Sequence, residues 1–421
     1  MWAGIRREQC GTEDEDIMAP DERNFRDLVT LSGPPVPGDV LTAEVDPAKG
    51  SFLSLLDAGG TALLHVDVDD PGPRLRVACE QANGSWDVRG WLPVAVGANA
   101  VRIEFLEAAI DVSVAPSARL RIAVDPRSVF RVAATAGWGA VRLDLVGAAD
   151  AARRVLTDIA VLPETGGGAR PDLIFDIGMH NGDDTAFYLA KGFRVVAIDA
   201  NPVLCTAAAR RFARPIEEGR LHILNIGIGP RPGRMEFHIN RTHSEWSSFD
   251  AATASRGHDT EAIMVHVQDI AGLIARMGVP YYAKVDIEGF DAEAVIPLVS
   301  ASQQPCFISY ENGALDIFET LVATGYTRFK LVNQAEVPSQ VLPIPPREGL
   351  PVQHRFNPGS SGLFGEESPG AWLPATPTRA LLRSYQEARS QDLARTLYID
   401  WFDLHAARDA AEVAARRPRF D

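Results

Sequence analysis

Residues 172–186, Asp-Leu-Ile-Phe-Asp-Ile-Gly-Met-His-Asn-Gly-Asp-Asp-Thr-Ala, leave this chain little choice of architecture. Leu173, Ile174 and Phe175 form an unbroken apolar run, the mark of a strand buried on both faces. Asp176 ends the run, and Gly178 and Gly182 bracket a turn. Asp183 and Asp184 then open a helical pattern through Phe187, Tyr188, Leu189 and Ala190. Strand, glycine turn and helix in that order bring backbone N–H groups up to a ligand at the end of a parallel sheet.

The charge of the turn selects the ligand. A pyrophosphate site wants G-x-G-x-x-G, and here no glycine lies between Gly178 and Gly182. Acids at Asp176, Asp183 and Asp184 disfavour a phosphate and suit an ammonium group, such as the methionine end of S-adenosylmethionine. The next strand, residues 193–198, runs into Asp199, Ala200, Asn201 and Pro202. An acid there, about 20 residues on, is placed to accept hydrogen bonds from a ribose diol.

The pattern after residue 171 keeps alternating. Strands are predicted at 172–177, 193–199, 221–226, 281–286 and 305–310, and helices at 184–191, 202–213, 269–277, 291–299 and 314–324. Such a repeat predicts a Rossmann-like, doubly wound, mostly parallel sheet. Residues 233–239 and 262–267 also read as strands. The segment joining them carries Arg241, His243, Glu245, Trp246, Ser247, Ser248 and Phe249, and a long aromatic insertion at a sheet edge is often functional. Residues 341–375 are rich in Pro, Gly and Ser, and Gly359-Ser360-Ser361-Gly362 reads as a loop over the site or a surface connection. Residues 378–416 are predicted to be helical and amphipathic, with Trp401, Phe402 and Leu404 packing.

Ligands of such a sheet lie beyond the carboxyl ends of its strands, where Asp176, Asp199, Asn225 and Asp286 fall. The fourth tip, Lys284-Val-Asp286-Ile-Glu288-Gly289-Phe-Asp291, leaves a strand through two acids and a glycine turn into a helix. Two such carboxylates can bind an amine, bind a metal, accept a proton, or simply cap the helix. Glu311, at the next strand end, points to the same edge. The nine histidines show no paired metal-ligand spacing, so no metal is expected.

These two motifs, Asp176-Ile-Gly178-Met-His180-Asn181-Gly182 and Lys284-Val-Asp286-Ile-Glu288-Gly289, resemble those of FkbM-type methyltransferases over roughly residues 170–335. The resemblance implies a class I methyltransferase fold, S-adenosylmethionine as cofactor, and O-methylation of a natural product or sugar hydroxyl. It implies that Asp176, Gly178, His180, Asn181, Gly182 and Asp183 face the methionine part, with Thr185 helping at the helix start. Asp199 with Asn201 would hold the ribose, and Asn225 with Ile226 would flank the adenine. Asp286 and Glu288 would face the reacting centre. Proton acceptors for a hydroxyl are then Glu288 first, and after it Asp286, Glu311 and His243.

The first third of the chain obeys a different period. From Asp27 to Gly147, short apolar runs recur at strand spacing between turn signals such as Pro34-Pro35, Gly59-Gly60 and Asn83-Gly84, which predicts an all-β sandwich. Leu64-His65-Val66-Asp67-Val68-Asp69, Arg74 to Cys79, Asn83-Gly84-Ser85-Trp86 and Leu92-Pro93 are similar to galectin-type lectin domains. His65 and Trp86 match that family's sugar-binding residues, while Asp67 stands where Asn is usual and Arg89 where an acid is. Trp86 and His65 are thus either a glycan platform or packing residues.

Composition closes some options. A net charge of −15 excludes nucleic-acid binding through a general electrostatic footprint. Cys10, Cys79, Cys205 and Cys306 are scattered and read as reduced, and no signal peptide or membrane span is visible, so a cytoplasmic protein is expected. The expected organisation is an acidic tail (1–24), a galectin-like sandwich (25–147), a helix and linker (148–170), a methyltransferase domain (171–345) and a C-terminal loop and helical extension (346–421). The expected acceptor is a saccharide-containing or other small molecule. The competing reading is a carbohydrate-binding or docking protein on a scaffold that has lost catalysis.

Overall fold

The structure is a computed structural model that describes the strands between residues 25 and 144, residues 148–390 and residues 401–420. The acidic stretch 1–24 and Cys10 lie outside the described residues. The chain divides into two compact units, Met1–Val146 and Gly147–Asp421.

Every described element of the first unit is a strand, as the period-two pattern predicts. They are β1 (Phe25–Thr30), β2 (Val40–Val45), β3 (Phe52–Leu56), β4 (Ala62–Asp69), β5 (Arg74–Glu80) and β6 (Trp86–Pro93). Then come β7 (Asn99–Phe105), β8 (Ile110–Ala115), β9 (Ala118–Ile122), β10 (Arg131–Thr135) and β11 (Trp138–Asp144). They form a six-stranded sheet, β1-β10-β3-β4-β5-β6, and a five-stranded one, β11-β2-β7-β8-β9. Alternate residues such as Leu53 and Leu55, Leu64 and Val66, Leu75 and Val77, and Val101 and Ile103 are buried. This is the spacing that puts every second side chain on one face of a strand.

The second unit is built on β12 (Ala169–Ile177), whose last five residues are all buried. It contains β13 (Arg194–Asp199), β14 (Leu221–Asn225), β15 (Gly227–Ile228), β16 (Gly233–Asn240), β17 (Thr260–Gln268), β18 (Val279–Val285), β19 (Phe307–Glu311), β20 (Arg328–Asn333) and β21 (Phe402–Ala407). Its helices are α1 (Ala148–Arg154), α2 (Asp183–Ala190), α3 (Pro202–Arg211), α4 (Ala213–Glu217), α5 (Ala251–Ser255) and α6 (Ile270–Met277). They continue with α7 (Asp291–Ser300), α8 (Leu315–Ala323), α9 (Ala375–Ser390) and α10 (Ala410–Arg416). The main sheet runs β14-β13-β12-β18-β19-β21-β20. Only β21 is antiparallel to its neighbours, β19 and β20. The predicted strands 233–239 and 262–267 are the antiparallel pair β16 and β17 of a separate three-stranded sheet with β15.

Apolar side chains leave both faces of the main sheet, as a doubly wound fold requires. On one face Phe175, Val196, Val285 and Ile308 pack against α6 to α9. On the other, Ile174, Ala197, Tyr282 and Phe307 pack against Phe187 and Tyr188 of α2, Cys205 and Ala208 of α3, and Phe356, Leu363 and Phe364 of a long loop. Local signals start the helices. Asn201 accepts the N–H of Val203 ahead of Pro202, and Asp269 accepts that of Gly272.

Three expectations need correction. Of the expected helix and linker (148–170), the helix runs only from Ala148 to Arg154, with a 3₁₀ turn at Ile159–Val161. The predicted linker before residue 171 ends at Ala169, where β12 begins. The predicted helix 378–416 is largely overturned. Helix α9 ends at Ser390, residues 391–400 lie outside the described residues, and 402–407 are a strand. Phe402, Leu404 and Ala406 alternate with Asp403 and His405, a period of two inside a segment read as helical. A strand from beyond residue 345 therefore completes the main sheet. Cys79, Cys205 and Cys306 are free and buried. Among the described residues no helix is long and apolar enough to cross a membrane.

Candidate active site

A cleft of about 820 Å³, counting the space open to solvent, lies at the carboxyl ends of β12, β13, β14 and β18. Gly178, His180, Asn181, Asp183, Asp199, Ile226, Asp286 and Glu288 line it, all expected from sequence. It is also lined by Asp184, Lys284, Phe249 and Gly359.

Gly178 sits at φ +84°, and a Cβ there would lie 1.7 Å from the Asp286 carbonyl oxygen. Only glycine lets the first and fourth strand tips meet this closely. His180 continues the turn at φ +50°. Its N–H donates to Asp199 Oδ2 at 2.8 Å, and the N–H of Asn201 donates to Asp199 Oδ1 at 2.8 Å. The carboxylate is thereby fixed, with one lone pair on each oxygen unspent. Burial raises its pKa.

Lys284 holds the acids of the first turn together. Its Nζ donates to the Gly178 carbonyl at 2.5 Å and lies 3.6 Å from Asp176, 3.8 Å from Asp184 and 3.6 Å from Asp286. Burial alone would lower its pKa, but Asp286, Asp176, Asp184 and Asp403 outweigh that and raise it. Asp184 is pushed up to about 7 by burial, against the pull of Lys284. It accepts the N–H of Ser361 on both oxygens at 3.0 Å, so the loop of residues 357–362 is tied over the turn. Asn357 Nδ2 adds a bond to Asp183 at 2.9 Å. Within the Gly-Ser-Ser-Gly segment, Gly359 lines the cleft and Ser361 anchors the loop to Asp184.

The fourth tip is different. Glu288 sits at φ +47°, and its pKa is pushed up to about 7 by burial and by Asp286. Arg256, at the end of α5 in the insertion, pairs with its carboxylate and also lies over the Trp246 ring. Asp291 is raised to about 7 by burial and Asp286.

The structure leaves other expected residues out of the cleft lining. Asp176 is fully buried beneath the turn, where it accepts the Thr185 hydroxyl at 2.5 Å. Gly182 is the left-handed residue that starts α2, with Phe212 packed against it. Asn201 caps α3, and Asn225 Nδ2 donates to the Asp199 and Ala200 carbonyls at 3.0 Å, bracing the wall from behind. His243 stacks on Trp246 at 3.9 Å and faces Glu245. Glu311 lies at the end of β19, beyond Asp286, and is pushed up to about 9 by burial and by Asp286, Glu288 and Asp403. Lys284, Arg256 and Asp403 were not among the expected site residues, whereas Asp184 was read from sequence as an acid of the turn. Lys284 stood inside a quoted motif, whereas Arg256 and Asp403 carry no local signal. In the first unit, His65 lies on β4 opposite Ser54 and Ala78, and Trp86 opens β6. Their side chains, and with them the glycan expectation, lie outside the described residues.

Solved structures similar to this chain over its N-terminal region include toad ovary galectin in complex with N-acetylgalactose, at 18% identity, 28% of this chain, 96% of that chain and a TM-score of 0.24. The homodimeric agglutinin CG-16 from chicken liver matches at 18% identity, with 28% and 98% covered and a TM-score of 0.24. Xenopus laevis galectin-Ib matches at 12%, with 28% and 98% covered and a TM-score of 0.24. No curated protein matches the chain. Residues 176–326, which carry the cleft lining apart from Gly359, match the methyltransferase FkbM domain.

Proposed function

We propose that this chain transfers a methyl group from S-adenosylmethionine to a hydroxyl of a saccharide-bearing or natural-product small molecule. The observation that carries the reading is Asp199, a carboxylate clamped by two backbone N–H groups at the cleft with a lone pair free on each oxygen. That is the acceptor set a ribose diol needs. The rest of the cleft fits the same cofactor. Ala200, Ile226, Ile228 and Phe249 offer apolar walls for a purine. Six acids, Asp183, Asp184, Asp199, Glu245, Asp286 and Glu288, line the cleft beside one lysine, Lys284, which favours a ligand with positive charge. The sheet order, with an antiparallel strand inserted before the last, fits the class I methyltransferase arrangement.

S-adenosylmethionine supplies an electrophilic methyl group on a sulfonium. The protein then has to align the acceptor and take its proton. Glu288 is suited to the second task, because it lines the cleft and is raised to about 7, near the working pH of a general base. Arg256 holds its carboxylate in place. Glu311, at about 9, keeps its proton at neutral pH and is the weaker candidate. The saccharide element rests on the likeness of residues 64–93 to galectins in sequence.

The test is calorimetric titration with S-adenosylmethionine. Wild-type protein should bind it, and Asp199→Asn should bind at least about tenfold more weakly, roughly 1.4 kcal/mol. Asparagine leaves one acceptor oxygen and turns a donor toward a backbone N–H. Absence of binding to the wild type would sink the proposal.

A further inference from the structure

Resting on the methyl-transfer reading, we propose that the acceptor carries a protonated amine, and that Glu311 and Asp403 are the carboxylates that bind it. The two residues are direct cross-strand partners in the antiparallel pair of β19 and β21. Partners of that kind share a face of the sheet, and like charges placed opposite each other repel. The face is that of Lys284 and Ser309, which are partners in β18 and β19, because Glu311 lies two residues beyond Ser309. Both acids therefore stand beside the cleft, on the far side of Asp286 from the Asp199 end.

Lys284 favours the ionised form of Asp403, but it pairs with three other acids. Asp403 is only 6% exposed, and among the described residues no donor or cation pairs with its carboxylate or with that of Glu311. The nearby cations are committed elsewhere. Lys284 is shared by Asp176, Asp184 and Asp286, and Arg256 by Glu288. Lys330 donates to the Ser368 carbonyl at 2.6 Å and lies over Trp372. His405 is held neutral by burial. The remaining groups around the pair, Asp184, Asp286, Glu288 and Asp291, are further acids.

A buried carboxylate pair of this kind is stable only with a cation between its members, either a proton or a ligand. Among the described residues no three acid, histidine or cysteine side chains converge as metal ligands do. An ammonium asks for less, since it needs hydrogen-bond reach to two carboxylates and has three donors to give. An amine anchored there lies next to Asp286 and Glu288, so a neighbouring hydroxyl of the same molecule can be presented to Glu288. An amino sugar has both groups.

The probe is neamine, a small two-ring polyamine built on an amino sugar, with its fully N-acetylated form as the neutral control, titrated into the full chain at pH 7.5. Neamine should bind, the acetylated form at least tenfold more weakly, and the Glu311→Gln, Asp403→Asn double variant at least tenfold more weakly than wild type. Heats in two buffers of different ionisation enthalpy should show proton release on binding, because Glu311, raised to about 9, holds its proton in the free protein. The double variant replaces two acids buried among Asp286 and Asp291 with neutral groups of the same shape, so it should melt no lower than wild type and bind S-adenosylmethionine unchanged. No neamine binding, binding undiminished in the double variant, equal binding of the acetylated form, or displacement of neamine by micromolar Mg²⁺ overturns the assignment. Failure of the S-adenosylmethionine titration alone overturns the methyl-transfer reading and leaves the amine result to be read separately.

Discussion

The first and fourth strand tips of the main sheet are both acidic, yet they handle charge in opposite ways. At the first, Asp176, Asp183, Asp184 and Asp199 each have a defined partner: Thr185 and Lys284, Arg211 and Asn357, the Ser361 N–H, and two backbone N–H groups. At the fourth, extended by β19 and β21, Asp286, Glu288, Glu311 and Asp403 crowd together with little beyond Lys284 and Arg256 to offset them. The first tip is finished by the protein itself. The second is left short of positive charge, as a site that completes itself with a ligand must be.

The difference can be broken most severely at Lys284. Replacing it by methionine leaves Asp176, Asp184 and Asp286 without their shared cation, and should cost about 3–5 kcal/mol of stability in a denaturant titration. The cost should be larger at pH 8 than at pH 5, because protonation relieves the stranded acids at low pH. An equal cost at both values would mean that Lys284 acts by packing alone.

The next effect belongs to the fourth tip and should appear in rate more than in stability. Glu288→Gln should lower kcat about 10²–10⁴-fold once an acceptor is in hand. The wild-type rate should rise as pH climbs through about 7, where Glu288 loses its proton, and the variant should show no such rise. In Arg256→Gln the midpoint should move to higher pH, since the guanidinium that favours the carboxylate is gone.

The smallest effect sharpens the contrast by its sign. The folded pKa of Asp403 is raised well above its ordinary value by burial and by Asp286, so the folded state holds a proton that the unfolded state has released. Wild-type stability from this group is therefore complete below the ordinary carboxylate range and is lost as pH rises toward the raised value. Asp403→Asn does not titrate. It should gain about 1 kcal/mol over wild type at pH 8 and progressively less toward pH 4, as read from melting curves.

The two tips also differ in how much of them a reader of the sequence can see. The turn from Asp176 to Asp184 is written within the fifteen contiguous residues 172–186, and its geometry follows from local rules: an apolar run, glycines at positive φ, acids at a helix start. The Lys284-Val-Asp286-Ile-Glu288-Gly289 segment is equally local. Asp403 is not. It joins the site only because β21 slots between β19 and β20, and neither the pairing partner nor the register of a strand is stated by its own residues. The alternation of Phe402, Leu404 and Ala406 was present, but it is short and lies between helical stretches whose pattern overrode it. Arg256 was hidden for a similar reason, since an arginine in an insertion gives no sign of which acid it will meet. Asp176, Thr185 and Asn225 show the converse. They are legible as part of the site, yet they support it from behind the cleft wall.

The insertion of β21 also sets an order on synthesis. Strands β19 and β20 are made about 90 and about 70 residues before the strand that joins them. At ribosomal speeds of roughly 5–20 residues per second, both wait several seconds with an unpaired edge. In that interval the Asp199 end of the cleft can already be assembled, while Glu311 faces no acid.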